Sequence, residues 1–554
     1  MPEYPDVQEA LSAVGDRDHS ITAEYRIFGP PGTGKTTNLT RQIRRAVERF
    51  GKDSVLVTSF SRAAAAELAG RDLPVSPDHI GTLHSHCWHA LGRPAIAEVH
   101  VAEWNRENPR LRITPAKKAA KLDGEESDEE SDDDVRSGDY WLGELNRSRG
   151  MMRPVDVRPP ALREFAAKWA CYKTSHRLVD FCDLIDTAMQ EIRIAPKNPA
   201  VIFADEAQDL NPMQLALVRR WGENAQYFII AADDDQTIYS WCGATPDAVL
   251  DPEIPDDHRI ILRESHRVPR SVHARANRLI HQVTRRQEKV YDPRPEEGIC
   301  MDLSRGGYKS PEYWILKTLM QHLERGQKVM LLASCSYMLH PVIAVLRKRG
   351  IPFHNPYRKS NGFWNPLRHG RKDSSMNRIL SLLGTPWTHR DLKLWTEWLN
   401  PKGSLRNGAK ELIEASDDSL QVTSERLNEL FEAAAIESLL AAAGDSKQLL
   451  QWWSRRVAPT FHGRVQFPVA VALNRGTTAL EEAPRVVVGT IHSVKGGEAD
   501  VVFLFPDLSP AGDAAYQRHG IQRDSVIRLL YVGMTRARHT LYICQKESSM
   551  AVVL

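Results

Sequence analysis

No apolar run in the sequence approaches the ~18–20 residues that a membrane-spanning helix needs. The opening Met-Pro-Glu-Tyr-Pro-Asp carries acid where a secretory signal carries base, and no apolar stretch follows it. A soluble, intracellular and cytoplasmic protein without a membrane partner is therefore expected, nucleoid-associated if the host is bacterial or phage. Cysteine is sparse. Seven are scattered through 554 residues and none forms a Cys-x-x-Cys pair. That argues against a zinc ribbon or an iron–sulfur cluster and for free thiols in a reducing compartment. Internal repeats are missing as well. Net charge is only +2, but the balance is uneven. Residues 123–134 hold nine acids and no base, which leaves +11 on the rest of the chain. A basic body with a detached acidic run suits a nucleic-acid partner. The tract itself repels internally and buries nothing, so it is expected to be a disordered loop.

What is present is an alternation of short β-branched runs with helical patterns, the signature of α/β units with parallel sheets. The length suggests about three to four domains. Strands are expected at Tyr25–Phe28, Ser54–Ser59, Val201–Asp205, Tyr227–Ala231 and Arg259–Leu262. A second set follows at Lys328–Ala333, Arg485–Gly489, Val501–Phe505 and Thr540–Cys544. Two sheets are implied, each interrupted by a mainly helical stretch. The expected division is 1–95 with 176–268, interrupted by 96–175, then 269–370 with 461–554, interrupted by 371–460. Helices in the second interruption are expected around Trp387, Trp395, Leu399, Leu427–Leu440 and Trp452–Trp453, with the tryptophans in the core.

Chemistry enters at Gly29-Pro30-Pro31-Gly32-Thr33-Gly34-Lys35-Thr36-Thr37, which follows the first strand and opens a helix to about Phe50. Glycines let backbone N–H groups wrap phosphates, and the helix N-terminus favours negative charge. Lys35 would reach the β- and γ-phosphates and Thr36 would hold Mg²⁺. The strand Val201–Ala204 ends in Asp205-Glu206. Asp205 would coordinate Mg²⁺, and Glu206 would act as general base toward the attacking water. These two elements indicate an NTPase but not the use of its energy.

Further segments narrow the reading. They are Val57–Leu68, Gly81-Thr82-Leu83-His84-Ser85, Asp180-Phe-Cys-Asp183-Leu184, Asp205-Glu206-Ala207-Gln208-Asp209, Ala232–Ala244, Leu262–Arg267, Val488–Glu498 and Leu530–Arg538. In this order, from about residue 25 to 545, they resemble the motifs of the UvrD/Rep/PcrA family of superfamily 1 DNA helicases. The resemblance implies an α/β fold with two RecA-like P-loop motor domains, each carrying a mainly helical insertion (1B and 2B-like). ATP would lie between the two motor domains, whose closure and opening move the track. Arg536 would act as an arginine finger with Arg267 as companion, and Gln236 would sense the γ-phosphate. His266 and Glu498 would complete the nucleotide site. Phe60, Tyr239 and Trp241 would stack on bases, and Thr82, His84 and His492 would contact the strand. Activity would be 3′-to-5′ translocation on single-stranded DNA and unwinding at single-strand/duplex junctions, in replication, repair or recombination, with ATP and Mg²⁺ as cofactors and an accessory protein as a further partner.

The sequence departs from the family pattern at several points. Cys242 stands where arginine is usual, His266 where tyrosine is usual, Arg62-Ala63 for Asn-Lys, and Gly497 for leucine. Only Gln8 could serve as the adenine-reading glutamine, and its spacing to Lys35 is long. The second insertion is short, which implies a reduced 2B-like subdomain. These departures keep an alternative in view, an ATP-switched DNA-binding scaffold without processive unwinding. An RNA helicase is a further reading. A small-molecule kinase would leave Gln236, Arg267, Arg536 and both insertions without purpose.

Overall fold

The computed structural model describes residues 24–60, 62–116, 138–358, 362–367 and 374–554. The side chains of Arg62, Ala63 and Glu67 are outside that description, as are Gln8 and the acidic tract 123–134. By compactness the chain falls into two units. One comprises residues up to 300 with 510–539 and Leu554, the other 301–509 with 540–553. The sequence division groups 269–300 and 510–539 with the second sheet, whereas compactness groups them with the first unit.

The first unit is built on β1 (Glu24–Phe28), β2 (Val55–Ser59), β3 (Ile80–Thr82), β4 (Val201–Asp205), β5 (Tyr227–Ala232) and β6 (Arg259–Ile261). Their spatial order is β3-β2-β4-β5-β1-β6 and every pairing is parallel. Strands of such a sheet are covered on both faces, so Val-Ile-Phe-Ala-Asp in β4 is buried throughout. Alternate residues serve opposite faces. Ile202, Ala204, Phe228 and Ile230 pack with Leu217 and Trp221. Val55, Val57, Phe203 and Ile229 pack with Leu39 and Ile43. Helix α1 (Lys35–Phe50) buries Leu39, Ile43 and Ala46, a stripe at helical spacing. Two strands not expected from sequence, β7 (Glu264–Pro269) and β8 (Asp292–Arg294), form a separate parallel pair. They are short and polar, so neither shows an apolar pattern.

The insertion in this unit contains α2 (Gly138–Gly150) and α3 (Pro160–His176), which pack around Trp104, Phe165 and Trp169. Helix α4 (Phe181–Glu191) follows and starts with a capping box between Asp180 and Asp183. Helix α5 (Ile521–Met534) also belongs to this unit.

The second unit holds the sheet β11-β12-β10-β13-β14-β9. Its strands are β9 (Ile299–Asp302), β10 (Val329–Ala333), β11 (Phe353–His354), β12 (Val486–Thr490), β13 (Ala499–Leu504) and β14 (Ala537–Ile543). β10 pairs in parallel with β12 and β13, and β11 with β12. The insertion runs as helices from Ser375–Leu383 to His462–Arg475. Trp387, Trp395, Trp452 and Trp453 are buried in one cluster with the sheet. The helical expectation needs correction in three places. Trp387 lies outside any helix, Leu399 forms an isolated bridge with Val457, and Leu427–Leu440 is two helices separated at Phe431-Glu432. Phe431 bridges to Leu405 instead of continuing the helix, a tertiary contact that overrides local propensity. Among the described residues, no helix is long and apolar enough to cross a membrane.

Candidate functional site

The loop between β1 and α1 is shaped by its glycines. Gly32 and Gly34 have φ of 76° and 75°, in the left-handed region that side chains disfavour. A Cβ on Gly29 would fall 2.7 Å from Lys35 Cβ, so the lysine stem lies along the loop. A Cβ on Gly32 would fall 2.4 Å from Arg267 Cβ. The loop is tied down from three sides. Gly29 N donates to Ala232 O at the end of β5 (3.0 Å), Ser265 Oγ donates to Pro31 O (2.8 Å), and His266 N donates to Gly32 O (2.8 Å). Thr33 Oγ1 donates within the loop to Pro30 O (2.8 Å). Pro30, Pro31, Thr36 and Thr37 complete the turn and the first helical turn.

Lys35 forms an ion pair with Glu206. Burial works against the ammonium, but the fields of Glu206 and Asp205, with Asp233 behind them, hold its pKa above the ordinary lysine range. Glu206 follows β4 with φ 52°, ψ 37°, a left-handed conformation for a residue with a side chain. Such backbone strain concentrates at functional positions. Gln208 Nε2 donates to Glu206 Oε2 (2.5 Å), and Gln208 Oε1 accepts from Asp233 N (3.0 Å). Gln208 thereby fixes the carboxylate relative to the next strand end.

From Asp233 the connections continue. Gln236 Nε2 donates to Asp233 Oδ2 (2.7 Å), and Gln236 Oε1 accepts from Arg536 Nη2 (3.1 Å). Arg536 is buried and also donates from Nε to Val532 O (2.9 Å). Lys35, Glu206, Gln208, Asp233, Gln236 and Arg536 thus form one polar chain within the first unit, and Arg267 abuts the loop. His266 beside it is exposed, and a ring in that position is free to stack.

The structure adds a buried ionic cluster that sequence reading does not supply. Lys289 Nζ lies 3.1 Å from Asp233 and 3.0 Å from Asp235, and pairs with Asp234. Arg286 grips Asp235 through two bonds of 2.9 and 2.6 Å. Burial pushes Asp234 up to about 6 against the pull of Lys289. Asp235 is held below the usual range, because Lys289 and Arg286 outweigh the burial that would raise it. Three successive aspartates after an apolar strand are a signal that buried cations must be found elsewhere. The sequence does not say which cations.

Further along the chain from Asp235, Tyr239 stands ring to ring with Phe60 (centroids 5.4 Å, 32°) and meets Trp241 at 6.3 Å. Trp241 is 42% exposed and the other two are half-buried. Cys242 Sγ donates to Tyr239 O (3.1 Å). His84 meets Phe181 edge-on, and burial lowers its imidazole to about 4, so it is neutral at pH 7. Thr82 is buried, and its hydroxyl oxygen accepts from Ser85 N as a helix cap. In the second unit, half-buried His492 opens the turn after β12, and Glu498 immediately precedes β13. A Cβ on Gly497 would fall 2.1 Å from Tyr357 Oη, so the tyrosine fills the space a leucine there would need.

A glycine-shaped loop before a helix, a buried lysine against a strand-end acid pair, and two six-stranded sheets with parallel strands define a P-loop fold suited to binding a nucleotide. The profile of the UvrD/REP helicase N-terminal domain matches residues 16–253, and that of the UvrD-like helicase C-terminal domain matches residues 485–544. A probable DNA helicase II homolog of Mycoplasma capricolum is 25% identical over 254 residues, 42% of this chain and 35% of that protein. The ATP-dependent DNA helicase PcrA of Staphylococcus aureus is 22% identical over 610 residues, 95% of this chain and 81% of that protein. A probable DNA helicase II homolog of Mycoplasma pneumoniae is 20% identical, over 93% of this chain and 81% of that protein. The chain belongs to the UvrD/Rep family of ATP-dependent DNA helicases.

Proposed function

We propose that the chain translocates 3′-to-5′ on single-stranded DNA, drawing on ATP hydrolysis to advance and to separate strands at single-strand/duplex junctions in replication, repair or recombination. The observation that carries this reading is the contact between Gln236 and Arg536, joined through Asp233 to the surroundings of Lys35 and Glu206. It supports the reading by joining Glu206, Gln236 and Arg536 in one connected set, with Gln236 three residues from Tyr239.

Lys35 holds the β- and γ-phosphates. Glu206, oriented by Gln208, takes the proton of the attacking water. Arg267 and Arg536 neutralise charge that develops on the transferred phosphoryl group. His266 stacks on the base, and Glu498 contacts the nucleotide. Phe60, Tyr239 and Trp241 form the base-stacking row, and Thr82, His84 and His492 lie along the strand. A magnesium ion accompanying the nucleotide fits this site. Asp205 is buried at the end of β4, and the in-register Ser59 hydroxyl beside it is buried with no hydrogen-bond partner among the described residues, which leaves polar room for a hydrated cation. Thr36 and Asp205 would hold the ion, which would screen the phosphate charges.

Polarity rests on the family. Strand displacement on substrates with 3′ or 5′ single-stranded tails tests it, with displacement expected only from the 3′ tail. A strict need for a 5′ tail would reverse the assignment. One observation favours a second reading, a scaffold that grips DNA under ATP control. The Cys242 thiol bonds its own turn and puts no cation there. Single-strand-stimulated ATPase without displacement on either tail, with partners present, would select it.

A further inference from the structure

The turn that carries the exposed Trp241 reads Tyr-Ser-Trp-Cys-Gly-Ala from residue 239 to 244 and holds no basic residue. A strand stacked on it needs its phosphates neutralised by something else. The turn packs on α2. A Cβ on Gly243 would fall 3.4 Å from Met151 Cγ and 3.6 Å from the Arg147 carbonyl oxygen. That same stretch of helix walls a cavity of about 400 Å³, lined by Glu144, Arg147 and Ser148 of α2 and by Arg153 and Arg158 of the loop leading to α3.

Three guanidinium groups there face one carboxylate. Glu144 is 3.5 Å from Arg147, a loose pair on one helix face. Arg147 Nε is buried with no hydrogen-bond partner among the described residues. Arg158 Nε donates to Ser148 Oγ (3.0 Å), a neutral partner that orients the group without cancelling its charge. Burial and the nearby Arg149 both depress the Arg158 pKa. Arg149 is itself saturated by Asp180 and Asp183, at 3.0 and 2.7 Å, and brings no acid to the cavity. A half-enclosed space with three guanidinium groups against one carboxylate, one of them held in place by Ser148, is complementary to phosphate, which accepts from planar N–H forks.

We propose that this cavity is a phosphate-binding site for the backbone of the single strand that stacks on Trp241. Arg153 and Arg158 supply the principal contacts, and Arg147 lies where the helix meets the turn. The inference rests on the single-strand motor reading and deepens it.

The experiment measures binding of a labelled oligothymidylate to the full chain over a series of salt concentrations. Wild type is compared with R153Q, R158Q, the double variant and R158K. Removing one arginine–phosphate pair should lower the slope of log K against log salt by about 0.7. For the double variant the slope should therefore fall by about 1.4, with binding several-fold to tens-fold weaker at low salt, while R158K retains most of the slope. Should R158Q misfold, R153Q, on an exposed loop, carries the test alone. A double variant with the wild-type slope overturns the proposal. So does a wild type whose cavity takes inorganic phosphate, seen as phosphate protection that disappears in the double variant, while the oligonucleotide slope stays unchanged. Failure of the underlying reading is separate: the wild type would then show neither oligonucleotide binding nor stimulated ATPase.

Discussion

The two six-stranded sheets differ less in architecture than in what stands at the ends of their strands. Beyond the first sheet come Lys35 after β1, Asp205-Glu206 after β4, and Asp233 to Gln236 after β5, with Ser265 to Arg267 in β7 closing over the loop. Beyond the second come Ser334-Cys335 after β10, Ile491-His492 after β12 and Phe505-Pro506-Asp507 after β13. The buried carboxylate in that set, Asp507, is occupied by its own chain, accepting from Glu547 N (3.0 Å) and Ser548 Oγ (2.8 Å). Ser334 Oγ donates to the Asp507 carbonyl (2.7 Å). Parallel strands deliver side chains to one edge in both units, but the lysine, the acid pair and the run of aspartates stand at the first edge. The same layering supports a reactive edge or a structural one, according to which residues the chain places there.

The largest expected effect tests that asymmetry directly. Lys35→Ala should abolish hydrolysis, and Arg536→Ala should lower turnover on the order of 10³-fold or more. Ser334→Ala, at the matching strand end of the second sheet, should leave steady-state ATPase within about twofold. An equally crippled Ser334→Ala would break the comparison.

The next pair sets ionic against apolar support. Lys289→Met leaves Asp233, Asp234 and Asp235 buried beside Arg286 alone and should cost roughly 3–5 kcal/mol. Trp395→Ala, in the second insertion, should cost a similar ~3–5 kcal/mol by leaving a cavity. Denaturant titrations at pH 5 and 7 separate them. Without Lys289 the pull that opposes burial at Asp234 is gone, so its carboxyl is pushed further up, and a raised carboxyl gives stability that is present at low pH and lost as pH rises. The Lys289→Met defect should therefore shrink toward pH 5, whereas the Trp395→Ala defect should not change. Identical pH profiles for the two would remove the ionic interpretation.

A smaller effect is expected at Glu98, within the first insertion. Burial first, then the charge of Asp180, pushes its carboxyl up to about 8, and its Oε1 accepts from Phe181 N (3.1 Å). With the folded pKa above the unfolded one, its contribution is full below about pH 4.5 and is lost as pH rises through 8. Glu98→Gln should flatten this window, a difference of roughly 1–3 kcal/mol between pH 5 and 8. A wild type equally stable at both pH values would contradict it. The smallest effect concerns the acidic tract. Deleting 123–134 should tighten single-strand binding a few-fold at low salt and not at high salt if the tract competes for basic surface, because that competition is screened. A deletion variant that binds as the intact chain does at each salt would make it an inert loop.

Most strands were legible because a parallel strand buried on both faces is written as an unbroken apolar run, as in Val201–Ala204 and Val329–Ala333. β3, β7, β8, β9 and β11 were not, being too short or polar to carry a pattern. The meeting of Lys35 with the strand-end pair Asp205-Glu206 was legible because the glycine loop and the end of an apolar strand are set by local spacing. Lys289, Arg286 and Gln208 were not, because their meaning comes from partners on other elements.

By itself the sequence determined the phosphate loop, the acid pair after β4 and the aromatic turn at 239–241, since each is a local matter of backbone freedom and spacing. The tertiary structure decided that Arg536 meets Gln236 across 300 residues, that Lys289 lies among three aspartates with Arg286 beside them, and that three arginines share a cavity walled by α2. Coulomb and hydrogen-bond terms act over a few ångströms of space, and distance along the chain does not encode that separation.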